Sequence, residues 1–179
     1  HRAGAPSVTS DHAWVVTDSP APSTSASAAS ARAASAPSSP VRTIGRLLLG
    51  GALLFTGTGH LTTSREAFQA QVPTWVPLDP DLVVIASGVV ELLLGAALIL
   101  LPRYRVAVGW TVAAFFVAIF PGNISQYVTG TDAFGLDSDQ SRLIRLFFQP
   151  LLVVWALWST GAWAAWRASR RESRSQRMP

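Results

Sequence analysis

The residues of this chain with chemistry to offer are few, and most stand in apolar surroundings. Glu91 interrupts the run LVVIASGVVELLLGAALILL. An ionisable side chain in such a run is costly to keep and is a functional candidate by default. His60 closes the preceding apolar segment, and Asn123 follows Pro121 and Gly122 in FPGNI. Arg142, Arg145 and Gln149 are spaced i, i+3, i+7, which sets them on one face of a helix. A carboxyl, an imidazole, a guanidinium and amides can together hold a polar head group or pass on a proton. The Glu91 carboxyl could be neutralised by Arg145, accept a hydrogen bond from His60 or Gln149, or carry its own proton. Each residue also has a plainer structural use. Glu91 can tie helices together, His60 can sit at an interface, and Asn123 can cap a helix end. Arg142 and Arg145 can extend their heads to the surface along apolar stems.

Several chemistries are absent from the start. The 179 residues include no cysteine, which removes disulfide, thiolate and cysteine-ligated metal chemistry. No paired-histidine spacing for haem and no glycine-rich dinucleotide loop occurs. Neither a catalytic constellation nor a metal site is therefore expected. The net charge is +4 and every one of the 14 basic residues is Arg. They cluster at the edges of apolar blocks, which is the pattern of membrane topology and not of a phosphate-binding face. No nucleic-acid partner is expected.

The elements that must position these groups follow from the apolar blocks. The chain is 49% hydrophobic and 13% charged, against roughly 25% charged for an average soluble domain. Four apolar segments, at residues 44–61, 82–101, 106–128 and 143–166, each approach the roughly 20 residues needed to cross a bilayer. A soluble helix needs a polar face, and the middle two have none. The expected fold class is all-α, an integral membrane four-helix transmembrane bundle. Glu91 falls about nine residues into the second segment, roughly 13 Å deep at 1.5 Å per residue. Ser87, Gly88 and Gly95 flank it and let a neighbouring backbone come close, so Glu91 should face the bundle. Pro121 should kink or end the third helix, with Asn123 and Gln126 serving the carbonyls it frees.

The connections differ in kind. Residues 62–81 hold Pro73, Trp75, Pro77 and Pro80 and suggest an ordered loop at the membrane surface. Residues 102–105 form a tight turn that makes the second and third helices antiparallel neighbours. Residues 129–140 carry Gly130, Gly135, Asp132, Asp137 and Asp139. Residues 1–40 are rich in Ala, Ser and Pro and read as a disordered cytoplasmic tail. That tail holds no apolar h-region of a cleavable signal peptide. Residues 41–167 form the transmembrane domain, and residues 168–179 an Arg-rich cytoplasmic tail. Arg42, Arg46, Arg103, Arg105, Arg167, Arg170, Arg171, Arg174 and Arg177 share one side, against Arg65, Arg142 and Arg145 on the other. The positive-inside rule then puts both termini in the cytoplasm, in a bacterial plasma membrane. The lipid bilayer is thus the first partner. Trp75, Trp155, Trp158, Trp163 and Trp166 are candidate interfacial or lipid-facing aromatics.

The order of GRLLLGGALLFTGTGHL, VPTWVP, SGVVELLLGAALIL, FPGNI and RLFFQP resembles the DoxX-like membrane proteins, relatives of DoxD and MauE. The resemblance covers about residues 45–166. It implies a four-helix membrane bundle with His60, Glu91, Asn123, Arg145 and Gln149 as recurrent polar positions. Residue counting along the helices already brings these by depth to the outer half of the bundle. MauE-type relatives are linked to thiol–disulfide chemistry, in which a chain without cysteine takes no part. A DoxD-type role calls for a redox partner protein. The leading expectation is an accessory membrane subunit, not an enzyme by itself, whose pocket in the outer half of the bundle takes a quinone or lipid. The alternatives are a quinone-linked oxidoreductase subunit and a proton or solute pathway through Glu91.

Overall fold

A computed structural model describes residues 39–132 and 138–177. All but the last two residues of the expected N-terminal tail, together with Gly135 and Asp137, lie outside the described residues. Every regular element among the described residues is helical: α1 (Pro40–Leu61), α2 (Arg65–Gln69), α3 (Pro80–Leu100), α4 (Arg105–Thr129), α5 (Asp139–Thr160) and α6 (Ala162–Ser175). A 3₁₀ turn at Pro102–Tyr104 joins α3 to α4.

Local chemistry sets the ends. Pro40 and Pro80 occupy the first turns of α1 and α3, where a missing N–H costs nothing. The Asp79 carboxylate caps α3 by accepting from the Asp81 and Leu82 amides at 2.8 and 3.4 Å. Ser138 does the same for α5 through the Ser141 amide. Three spans among the described residues are long and apolar enough to cross a membrane: Pro80–Leu100, Pro102–Thr129 and Asp139–Thr160. The fourth long helix, α1, has 22 residues and is not among these three. Arg42, Arg46 and His60 and a run of Gly and Thr dilute its hydropathy.

The two most extensive contacts are α1 with α3 and α4 with α5. The tight turn between α3 and α4 reverses the chain, yet those two helices touch far less. Glycines explain the first pair. A Cβ built on Gly57 would lie 2.9 Å from the Gly88 carbonyl oxygen and 3.0 Å from Glu91 Cβ. One on Gly88 would lie 2.7 Å from His60 Cβ, and one on Gly95 would lie 2.8 Å from the Gly50 oxygen. Gly50 faces Gly95 and Gly57 faces Gly88, so two i, i+7 pairs run antiparallel and let the backbones meet. Beneath them Leu49, Leu53, Leu94, Leu98, Val112, Ala113, Phe116 and Ala156 form the core between all four long helices.

Several expectations change here. The loop over residues 62–81 contains the short helix α2. The third long helix does not stop at Pro121 but carries it inside and ends at Gly130, whose φ of 65° suits glycine. The apolar segment at 143–166 is two helices: α5 ends at Gly161, with φ 77°, and α6 departs from there. Helix α6 also runs through the boundary at 167/168, so Trp163 and Trp166 share a helix with the terminal arginines. Trp155 is not lipid-facing only, because its indole N–H donates to the Gly45 carbonyl at 3.0 Å.

Because a Cβ at Gly88 has no room, Gly88→Ala should destabilise the purified protein by about 1–3 kcal/mol. Gly51→Ala is the control, since a Cβ there meets nothing within 4 Å. Thermal melts of both variants check this; equal melting temperatures would refute the close seam.

Candidate functional site

The helix ends that carry α2 enclose a cavity of about 730 Å³. Its wall includes all five of His60, Glu91, Asn123, Arg145 and Gln149. The glycine seam is what aligns the first two. His60 packs on Gly88 and Glu91 on Gly57, so the two side chains flank the Gly57–Gly88 contact from opposite sides and meet across it. His60 Nε2 lies 3.7 Å from Glu91 Oε1. His60 Nδ1 lies 3.3 Å from the Val84 carbonyl oxygen. A carbonyl only accepts, so Nδ1 carries hydrogen and Nε2 is the nitrogen turned to the carboxyl. Phe68 of α2 packs on the imidazole with ring centroids 3.4 Å apart. Glu91 is 5% exposed, and its second oxygen, Oε2, is buried without a hydrogen-bond partner.

The opposite wall comes from α4 and α5. Asn123 Nδ2 donates to Gln149 Oε1 at 2.8 Å, and Gln149 Nε2 donates to the Phe116 carbonyl at 2.7 Å. These bonds correct two expectations. Gln149 is committed to α4 and does not donate to Glu91. Asn123 and Gln126 do not serve a carbonyl freed by Pro121, because Asn123 reaches Gln149 and Gln126 reaches the Thr131 carbonyl. The amides are long enough to find partners across the helix contact and at the helix end, where they also join elements.

Arg145 donates to Gln71 Oε1 at 2.9 Å and to Gln126 Oε1 at 3.4 Å. The ion-pair geometry of Glu91 is therefore with His60, while Arg145 ties α5 to the segment after α2. Arg142 does not extend to the surface: it is buried and paired with Asp132 and with Asp139, the latter at 2.7 Å. That pairing fixes the start of α5 against the end of α4.

The segment after α1 roofs the cavity, contributing Phe68, Gln71, Val72, Pro73, Trp75 and Val76. Arg65 pairs with Asp81, and Gln69 Nε2 donates to Asp81 Oδ1 at 2.6 Å. Hydrogen bonding to Asp81 holds the Arg65 guanidinium above its ordinary value. These bonds pin α2 to the first turn of α3. Pro73 and Trp75 mark this segment in the sequence as an ordered loop. Polar spacing alone does not reveal a short helix folded over its neighbours, so Phe68 and Gln71 escape it.

At the far end of the bundle lies another buried cation that counting charges had assigned to topology alone. Arg46 is 6% exposed and donates to the Leu98 carbonyl. The normal helical partner of that oxygen would be the N–H four residues on, at Pro102, which has none. Arg46 thus satisfies a carbonyl that the turn leaves open and locks α1 to the end of α3.

The cavity has an apolar body and a polar end. Leu49, Leu53, Phe116, Ile119 and Leu152 supply the first, and the His60–Glu91 pair with the amides and Arg145 supplies the second. Among the described residues, no three His, Cys, Asp or Glu side chains gather as metal ligands. No curated protein and no solved structure matches the chain. The residues that carry the cavity all fall within one family match, to a domain of unknown function (DUF8561) over residues 49–160, and the chain belongs to that family.

Proposed function

We propose that this chain is a small integral membrane protein that binds a lipid-soluble molecule in the cavity between its long helices. The observation that carries this reading is a buried, partly unsatisfied polar set inside an otherwise apolar cavity. A volume of about 730 Å³ suits a small molecule, since ligand sites commonly measure about 300–1,000 Å³. Polar groups in a lipid-embedded bundle are expensive, and binding gives them a use. On this reading α1, α3, α4 and α5 all cross the bilayer, with the cavity in the outer half. Exposed Phe55, Leu93, Val117, Phe147 and Val154 suit contact with acyl chains. The chain acts as an accessory subunit and not as an enzyme by itself. The resemblance to DoxX-like proteins favours a quinone or lipid as the ligand and a redox protein as the partner. The second reading, a quinone-linked oxidoreductase subunit or a proton path through Glu91, is favoured by the close His60–Glu91 pair.

Topology in the bacterial cytoplasmic membrane follows from the arginines. Those at Arg42, Arg46, Arg103 and Arg105 and along α6 lie at one end of the bundle and mark the cytoplasmic side. Helix α6 has the make-up of an interfacial helix, with Trp163 and Trp166 beside Arg167, Arg170, Arg171 and Arg174. Arg170 stacks on the Trp166 ring at 4.5 Å. Both termini are then cytoplasmic.

Two measurements test this reading. In the cysteine-free background, a membrane-impermeant maleimide added to intact spheroplasts should label Glu66→Cys on α2 and spare Ser173→Cys on α6. Labelling of Ser173→Cys from outside would reverse the topology. For binding, decylbenzoquinone, its hydroquinone and mono-oleoylglycerol are each added to the purified chain. At a hundredfold excess over Kd, a bound ligand stabilises by about 2.7 kcal/mol, so at least one should raise the melting temperature by several degrees. Ala52→Trp, which fills the cavity from α1, should remove that rise. No shift with any of the three would sink the binding reading.

A further inference from the structure

We infer that the cavity chooses its ligand by a hydroxyl group: an apolar molecule that donates a hydrogen bond to Glu91 Oε2, with Gln71 Nε2 free to donate to an acceptor on the same molecule. This rests on the reading of the cavity as a binding site and goes on to say what it binds. His60 Nδ1 already gives its hydrogen to the Val84 carbonyl. Any proton shared between His60 and Glu91 therefore lies on the line from Nε2 to Oε1. If the ring holds that proton, Glu91 is a carboxylate and Oε2 only accepts. If Oε1 holds it, Oε2 is a carbonyl oxygen and again only accepts. If the pair holds none, Oε2 is still an acceptor. In each of these arrangements, with no proton on Oε2 itself, the open atom is an acceptor.

The neighbouring hydroxyl is engaged with its own helix. Thr56 stands beside the carboxyl, but its hydroxyl donates to the Ala52 and Leu53 carbonyls at 3.1 and 3.3 Å. Oε2 is buried and without a partner. The Glu91 side chain is only 7% exposed, so bulk water does not serve it readily. Across the cavity Gln71 presents the complementary case. Its oxygen is taken by Arg145 and its Nε2 is buried without a partner. One acceptor and one donor without partners therefore sit on two residues that line one cavity, with an apolar body of space beside them. A molecule carrying only carbonyl oxygens would set lone pairs against Oε2. A phenol or alcohol satisfies it.

Hydrogen bonds to charged or buried partners discriminate by about tenfold to a hundredfold. The test compares three probes on the full, unaltered chain in detergent by calorimetric titration: 4-nonylphenol, its methyl ether, and decylbenzoquinone, which has acceptors only. The phenol should bind at least about tenfold more tightly than the ether and the quinone. In Glu91→Met the phenol should fall to the affinity of the ether. An ether or quinone that binds the unaltered chain as tightly as the phenol overturns the inference and leaves the binding reading standing. If none of the three binds to protein that is folded by circular dichroism, the binding reading fails and takes the inference with it. The comparison on the unaltered chain decides the matter whether or not Glu91→Met folds.

Discussion

Two pairs of glycines, Gly50 with Gly95 and Gly57 with Gly88, hold α1 and α3 at backbone contact, and the rest of the site depends on that distance. In a bundle surrounded by lipid, helices gain little from burying apolar surface against each other, so close packing and polar ties must do that work. The seam supplies the packing. It also brings the His60 and Glu91 side chains together across the Gly57–Gly88 contact, so each buried polar group meets the other and not hydrocarbon. A methyl group anywhere along the seam would separate the helices and strand both side chains. The positioning of the polar pair and the stability of the helix pair are therefore one problem with one solution.

The cavity exists because the four long helices pack as two tight pairs and a looser whole. Within the second pair, Gly109 lies against Thr160, and the Gln149 side chain reaches the Phe116 carbonyl. Between the pairs, the core from Leu49 to Ala156 fills one end and leaves the other open. That open end is roofed by α2, which Arg65 and Gln69 tie to Asp81. Exposed ion pairs add little stability, so the main effect of this one is to fix where the roof sits. At the filled end, Arg46 answers the carbonyl that Pro102 leaves without a partner. A buried arginine held by a backbone oxygen joins α1 to α3 where the glycine seam ends.

Much of this was legible in the residues before any coordinates. The apolar blocks gave the long helices nearly in place, and the small residues around Glu91 said which way it faced. Depth counting brought His60, Glu91, Asn123, Arg145 and Gln149 to one region, and they line one cavity. What escaped depended on partners distant in sequence. Spacing put Arg145 near Glu91 in depth but did not say which helices adjoin, so the ion pair with His60 stayed one option of several. Gly50 and Gly57 look like ordinary small residues until the antiparallel register pairs them with Gly95 and Gly88. Gly161 sits inside an apolar run that hydropathy reads as continuous, because hydropathy does not register φ. Helix α2 is too short for a periodic signal, although it carries Phe68 and precedes Gln71.

The central claim is that the glycine seam makes His60 and Glu91 a single interacting unit in the bundle. A double-mutant cycle on the purified chain tests it most directly, using His60→Ala, Glu91→Ala and the double variant in chemical denaturation. The account predicts a coupling of at least about 1 kcal/mol, as for residues in direct polar contact. Single effects that add to the double effect within about 0.3–0.5 kcal/mol, as distant sites do, would contradict it.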